Sequence, residues 1–166
     1  KKMHVLGTPP ELEFFVDHVT SRFGEKPVAI CGDHSGFDMK TLAKKVLDKN
    51  GIPYIDFGTY IKKDCDYNEY VIAAVDSVRN KTCDFGMGFC RTGQGINILA
   101  NHLDGIRSAL VMDKYTAEYA LRHNCVNFFS IPEKYVSEDT LDNMVKIWKE
   151  TTFDGGRHMT RMKHIM

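Results

Sequence analysis

What most restricts the fold of this chain is an alternation repeated five times. A short apolar run closes on a glycine or polar turn, and a segment with apolar residues at helical spacing follows it. The runs cover 28–31, 54–57, 85–89, 107–112 and 126–131. Helices are expected over 37–47, 67–80, 96–101, 114–122 and 138–149, with Ser137 as the N-cap of the last. In the first of these, Phe37, Leu42, Ala43, Val46 and Leu47 are expected inward and the lysines outward. Strands separated by helices cannot pair as hairpins and must run parallel. The expected architecture is therefore α/β: a three-layer α/β/α sandwich around a five-stranded parallel sheet, Rossmann-like in arrangement.

The residues ahead of the first strand form a separate unit. Thr8-Pro9-Pro10-Glu11 supplies an N-cap, prolines suited to a first turn and an early acid, and Leu12, Phe15, Val16 and Val19 recur at helical spacing. Residues 1–27 are thus expected to add an N-terminal helix that packs on the domain or on a partner subunit. Residues 28–166 form the main domain, which at this length can bury a full core.

Charge and cysteine usage narrow the function. With 22 basic and 22 acidic residues the formal net charge is zero. A general affinity for nucleic acid or an anionic membrane is therefore not expected, and any anion site must be local. The five cysteines form no C-x-x-C pair. This argues against a zinc site or a disulfide framework and for reduced thiols in the cytoplasm. No apolar run approaches the length of a membrane span. The glycines after Cys90 do not form G-x-G-x-x-G, so dinucleotide binding is not expected. No metal and no cofactor is expected.

In an open parallel sheet, ligands bind beyond the carboxyl ends of the strands. Those ends present Asp33-His34, the loop near Asp66-Tyr67, the stretch from Cys90 to Gly95, the start of the helix after Met112 and the segment after Ile131. The third places a thiol beside a helix N-terminus, where unpaired amides and the helix dipole favour anions. A helix start is expected to lower the Cys90 pKa toward the working range. The amides of Gly93, Gln94 and Gly95 could stabilise an oxyanion. Arg157 and Arg161, four apart after the Gly155-Gly156 turn, would share one helical face.

Several motifs occur together in order: Gly32-Asp33-His34-Ser35-Gly36, Ile55-Asp56-Phe57-Gly58-Thr59, Asp66-Tyr67, Cys90-x-Thr92-Gly93-x-Gly95-Ile96 and Asn101. They continue with Gly105-Ile106-Arg107-Ser108-Ala109-Leu110, His123-Asn124-x-x-Asn127 and Gly155-Gly156-Arg157-His158-x-x-Arg161. The set resembles the ribose-5-phosphate isomerase B and galactose-6-phosphate isomerase family from about residue 28 to 161. The resemblance implies a metal-free aldose–ketose isomerase of a phosphorylated sugar, with ribose 5-phosphate as the default substrate. Galactose 6-phosphate or another aldose phosphate is the alternative, and a non-catalytic sugar-phosphate-binding protein is the alternative of another class.

By matching position, the resemblance makes Cys90 the base that moves a proton between C1 and C2. It makes His123 the ring-opening histidine, with Thr92 nearby. Asp33 would hold sugar hydroxyls, Asn124 and Tyr67 would assist at the substrate, and His34, Arg157 and Arg161 would bind phosphate. A homodimer or dimer of dimers with shared sites is implied. Three places depart from the family pattern. Arg91 stands where glycine is usual, Asn68 replaces a proline, and Pro132-Glu133-Lys134 replaces a Gly-x-Arg element. Lys134 keeps the charge of that arginine without its fork, and Arg91 is placed with Lys134 at the substrate.

Overall fold

Register makes the sheet parallel throughout. In the computed structural model, which describes residues 26–165, β1 (Val28–Gly32) lies between β2 (Tyr54–Asp56) and β3 (Phe85–Cys90). On the far side of β3, β5 (Phe128–Pro132) separates it from the edge strand β4 (Ser108–Leu110), giving the order β2-β1-β3-β5-β4. The helices are α1 (Phe37–Lys49), α2 (Asn68–Arg79), α3 (Gln94–His102), α4 (Lys114–Asn124), α5 (Glu138–Glu150) and α6 (Arg157–Met162). The expected five-stranded α/β sandwich is present. The helix expected near the start of the chain falls outside the described residues.

Alternation along the strands builds two unlike cores. On one face Ile30, Phe85, Met87, Phe89, Phe129 and Ile131 meet Leu47, Leu121, Leu141 and Trp148 from α1, α4 and α5. On the other, Ala29, Cys31, Cys90 and Phe128 meet Val71 and Val75 of α2 and Ile96 and Ala100 of α3. This second face is thin because β3 contributes glycines to it. A Cβ on Gly86 would lie 2.2 Å from the Phe128 ring, and one on Gly88 would lie 2.6 Å from Ile96 Cγ2. The missing side chains let α3 settle close to the strand that it follows, which fixes its N-terminus near Cys90.

The edge strand is shorter than the apolar run 107–112 suggests, because β4 pairs on one side only. Asparagine side chains satisfy the backbone just ahead of it. Asn101 accepts the Ser108 N–H and donates to the Ser108 carbonyl, both at 2.9 Å. Asn127 accepts the Arg107 N–H at 2.8 Å and donates to the Gly105 carbonyl at 2.9 Å. These motif residues are therefore structural. Ser137 caps α5 as expected, accepting the Thr140 N–H at 3.2 Å.

The helices that follow β1 and β3 leave to opposite faces of the sheet. The crevice between these adjacent strand ends is the switch point where α/β proteins place ligands.

Candidate active site

Cys90 is the last residue of β3 and is buried at 5% exposure. Gly93 turns the chain at φ +72°, where its missing Cβ would lie 2.4 Å from Leu110 Cδ1. This tight left-handed turn aims the Gly93 N–H at Cys90 Sγ, 3.1 Å away, and starts α3 at once with Gln94. Burial pushes the Cys90 thiol above its ordinary pKa. The N–H groups of Ile96, Gly93 and Thr92 draw it back in part, and nearby Asp33 adds to the rise. The sequence-based expectation of a lowered pKa is thus corrected: desolvation of the sulfur outweighs the helix start. Since the Gly93 amide serves the sulfur, the Gln94 and Gly95 amides are the two of the expected three left for an oxyanion.

The loop after β1 lies directly on the end of β3. Asp33 N–H donates to the Phe89 carbonyl at 3.3 Å, and a Cβ on Gly32 or Gly36 would come within 2.5 or 2.0 Å of that oxygen. Asp33 is buried, and its Oδ1 accepts the Gly36 N–H at 2.9 Å. His34 Nδ1 lies 3.2 Å from both the amide nitrogen and the carbonyl oxygen of Cys65, and its Nε2 lies 3.7 Å from Asp64. The Tyr67 hydroxyl covers Gly95 so closely that a Cβ there would be 2.3 Å from it. Past the strands the β3–β5 ladder continues: Glu133 N–H donates to the Cys90 carbonyl at 2.9 Å and Lys134 N–H to that of Arg91 at 3.2 Å. Arg91 and Lys134 therefore lie side by side at an exposed rim, with Thr92 and Gln94 also exposed.

A polar brace that sequence reasoning missed lies beneath this end. Lys40, expected outward with the other lysines of α1, is buried. It donates to Asp56 Oδ1 and, at 2.7 Å, to the Thr59 carbonyl, while Lys44 pairs with the other Asp56 oxygen. Asp56 also accepts the Gly58 N–H at 2.9 Å. The Gly32 N–H donates to Gly58 at 2.9 Å and the Thr59 N–H to Gly32 at 2.8 Å, so the brace holds the root of the Asp33 turn. A lysine on the apolar face of an amphipathic helix was the available signal.

The remaining predicted residues lie at the opposite end of the sheet. His123 and Asn124 close α4, just ahead of β5, and so sit at the amino ends of the strands. Arg157 and Arg161 stand one turn apart on α6, and both are exposed. Gly155 and Gly156 make the preceding turn with φ of +64° and +55°. Two residues not singled out from the sequence join them. His158 stacks on His123 with ring centroids 4.0 Å apart and planes 8° apart, and Asp154 Oδ2 lies 3.7 Å from His123 Nε2. His158 falls inside the glycine-arginine motif, which was the signal for it.

The chain thus carries a carboxyl-end group of Asp33, His34, Tyr67, Cys90 to Gly95 and Lys134, and an amino-end group of His123, Asn124, Arg157 and Arg161. The family described as Ribose/Galactose Isomerase matches residues 28–165, and the chain belongs to it. Ribose-5-phosphate isomerase B of Escherichia coli is 31% identical over 140 residues, spanning 84% of this chain and 94% of that one. The solved ribose-5-phosphate isomerase B of Clostridium thermocellum superposes with a TM-score of 0.81 at 35% identity, covering 84% of this chain and 94% of that one. That of Mycoplasma genitalium, solved with bound ribulose 5-phosphate, gives 0.79 at 27% identity over 86% and 95%. The chain is a sugar-phosphate isomerase of this kind. Among the described residues no helix is long and apolar enough to cross a membrane.

Proposed function

We propose that this enzyme converts ribose 5-phosphate to ribulose 5-phosphate through an enediolate, in the cytoplasm, with no metal or cofactor. The observation that carries the reading is the Cys90 sulfur, enclosed at a strand end beside Asp33 and an amide-rich turn. His123 takes the O1 proton of the cyclic sugar and returns it to the ring oxygen as the C1–O bond breaks and the aldehyde forms. The Cys90 thiolate removes the C2 proton, and the electron pair passes through C1 onto O1, which lies near the Gln94 and Gly95 amides. The O2 proton is lost as O1 gains one, and Cys90 returns its proton to C1. Asp33, Tyr67 and Asn124 hold hydroxyls. His34, Lys134, Arg91, Arg157 and Arg161 hold the phosphate.

Cys90 and His123 stand at opposite ends of one sheet, so the reading requires a homodimer in which the amino-end group of each copy faces the carboxyl-end group of the other. Met112, Tyr115 and Tyr135, large and exposed just past β4 and β5, suit a surface covered by a second copy. The ribulose 5-phosphate bound in the Mycoplasma genitalium relative supports the pentose. The family description, which names galactose as well, makes a hexose 6-phosphate the second substrate to test. Product formation is measured across pentose, hexose and tetrose phosphates with the wild type and Cys90→Ala. Highest kcat/KM on ribose 5-phosphate, abolished in the variant, is expected. Full turnover by Cys90→Ala sinks the mechanism, and preference for another sugar sinks the substrate.

A further inference from the structure

His123 is mounted on three sides by groups with no assigned part in the reaction. Its Nε2 lies 3.7 Å from Asp154 Oδ2, one face stacks on His158, and Tyr119 meets it edge-on with centroids 4.8 Å apart. Asp154 is itself clamped. Arg122 donates from Nε to both carboxylate oxygens at 3.1 and 3.2 Å, its Nη2 lies 3.1 Å from Oδ2, and the Asp154 N–H donates to the Arg122 carbonyl at 2.9 Å. His158 is buried at 6% exposure, and Arg157 donates from Nε to its Nε2 at 3.4 Å.

The ligating atoms of His123, Asp154 and His158 all fall within 4.8 Å of one another, close enough to suggest a metal ion. The geometry argues for another use. Near-parallel stacked rings hold their in-plane lone pairs side by side instead of aiming them at one point, Arg122 already occupies the carboxylate, and Arg157 and Arg161 add positive charge. Burial first, and then the neighbouring positive charge, hold His158 below the ordinary imidazole pKa.

We propose that Asp154 and His158 are positioning residues for sugar ring opening: Asp154 turns His123 Nε2 toward itself and leaves Nδ1 for the sugar, while the His158 face fixes the plane of the ring. The inference rests on the assignment of ring opening to His123. It predicts a defect confined to the cyclic substrate. Ribulose 5-phosphate is acyclic because the hydroxyl that would close its ring carries the phosphate. Exchange of its C1 proton with solvent therefore needs Cys90 but no ring opening.

The test measures two rates on the full-length dimer: net consumption of ribose 5-phosphate, and deuterium uptake at C1 of ribulose 5-phosphate by NMR. Asp154→Asn is expected to slow aldose consumption about 10- to 100-fold, the scale of a misplaced catalytic group, with C1 exchange within about twofold of wild type. His158→Ala should show the same split, and His158→Phe, which keeps a flat face, should recover most of the lost rate. Equal loss in both rates, as a general structural defect would give, or no loss in either, overturns the proposal. His123→Ala is the reference. If it leaves aldose consumption intact, the ring-opening assignment fails and this inference falls with it. A split in His123→Ala without one in Asp154→Asn overturns the inference alone.

Discussion

The two ends of the sheet are built by different means. The carboxyl end positions Cys90 almost entirely with backbone: a strand terminus, a left-handed glycine, amides of a helix start and two glycines pressed against the Phe89 carbonyl. The amino end works with side chains: stacked imidazoles, an arginine on a carboxylate and two exposed guanidiniums. The contrast fits the tasks proposed for each end. Removing a proton from carbon demands a base fixed to within fractions of an ångström in a desolvated place, which backbone provides. Opening a ring demands a titratable nitrogen, which a side chain supplies, and the guanidiniums beside it add charge for the phosphate.

Several experiments can break or sharpen this contrast. The largest effect belongs to Cys90→Ala, expected to lower kcat about 10³-fold or more with little change in KM. A rise in KM alone would show that the sulfur only packs. Next is complementation. Chains carrying Cys90→Ala or His123→Ala should each be nearly inactive, but unfolded and refolded together they should regain about a quarter of wild-type activity, because half of the proposed dimers then hold one intact site of two. A mixture no better than its parts would mean that the two ends never meet.

Gly88→Ala tests the backbone half on its own. The added methyl meets Ile96 and Phe128, so a loss of about 1–3 kcal/mol in urea unfolding is expected as α3 is pushed from the strand. Unchanged stability would mean that α3 has room to move. The pH profile follows from the raised Cys90 pKa. In the proposed mechanism the thiolate is the active form, so a raised pKa moves its appearance to higher pH, and kcat/KM should still be rising above the ordinary thiol pKa of about 8.5. A plateau from pH 6 contradicts the burial argument. The smallest effect is expected from Lys134→Arg, which restores a fork at the rim and should lower KM about fivefold, or about 1 kcal/mol. A higher KM would show that Arg91 leaves no room for it.

The fold was legible because alternating strand and helix patterns allow few solutions, and the motifs pointed to candidate residues that the structure places at both ends of the sheet. What stayed hidden depends on packing. Lys40 reads as one more surface lysine until Asp56 and the Thr59 carbonyl are seen to receive it. Asp154 reads as a loop acid until the chain folds back and Arg122 holds it beside His123. The sign of the Cys90 shift was misjudged because a helix start is visible in sequence and depth of burial is not. The separation of Cys90 from His123 follows from helix direction alone, since the end of α4 must lie at the amino ends of parallel strands.

The sealed sulfur also has a chemical lifetime. The thiolate is the form that reacts with peroxide and alkylating agents, so a thiol covered by the fold and with its pKa raised by burial is poorly available to them. Cys31, fully buried on the neighbouring strand with its pKa pushed far up, is shielded further, while Cys65 is partly exposed in its loop. Mild oxidation should therefore mark Cys65 before activity falls, and the enzyme should tolerate oxidants better at rest than its dependence on one cysteine suggests.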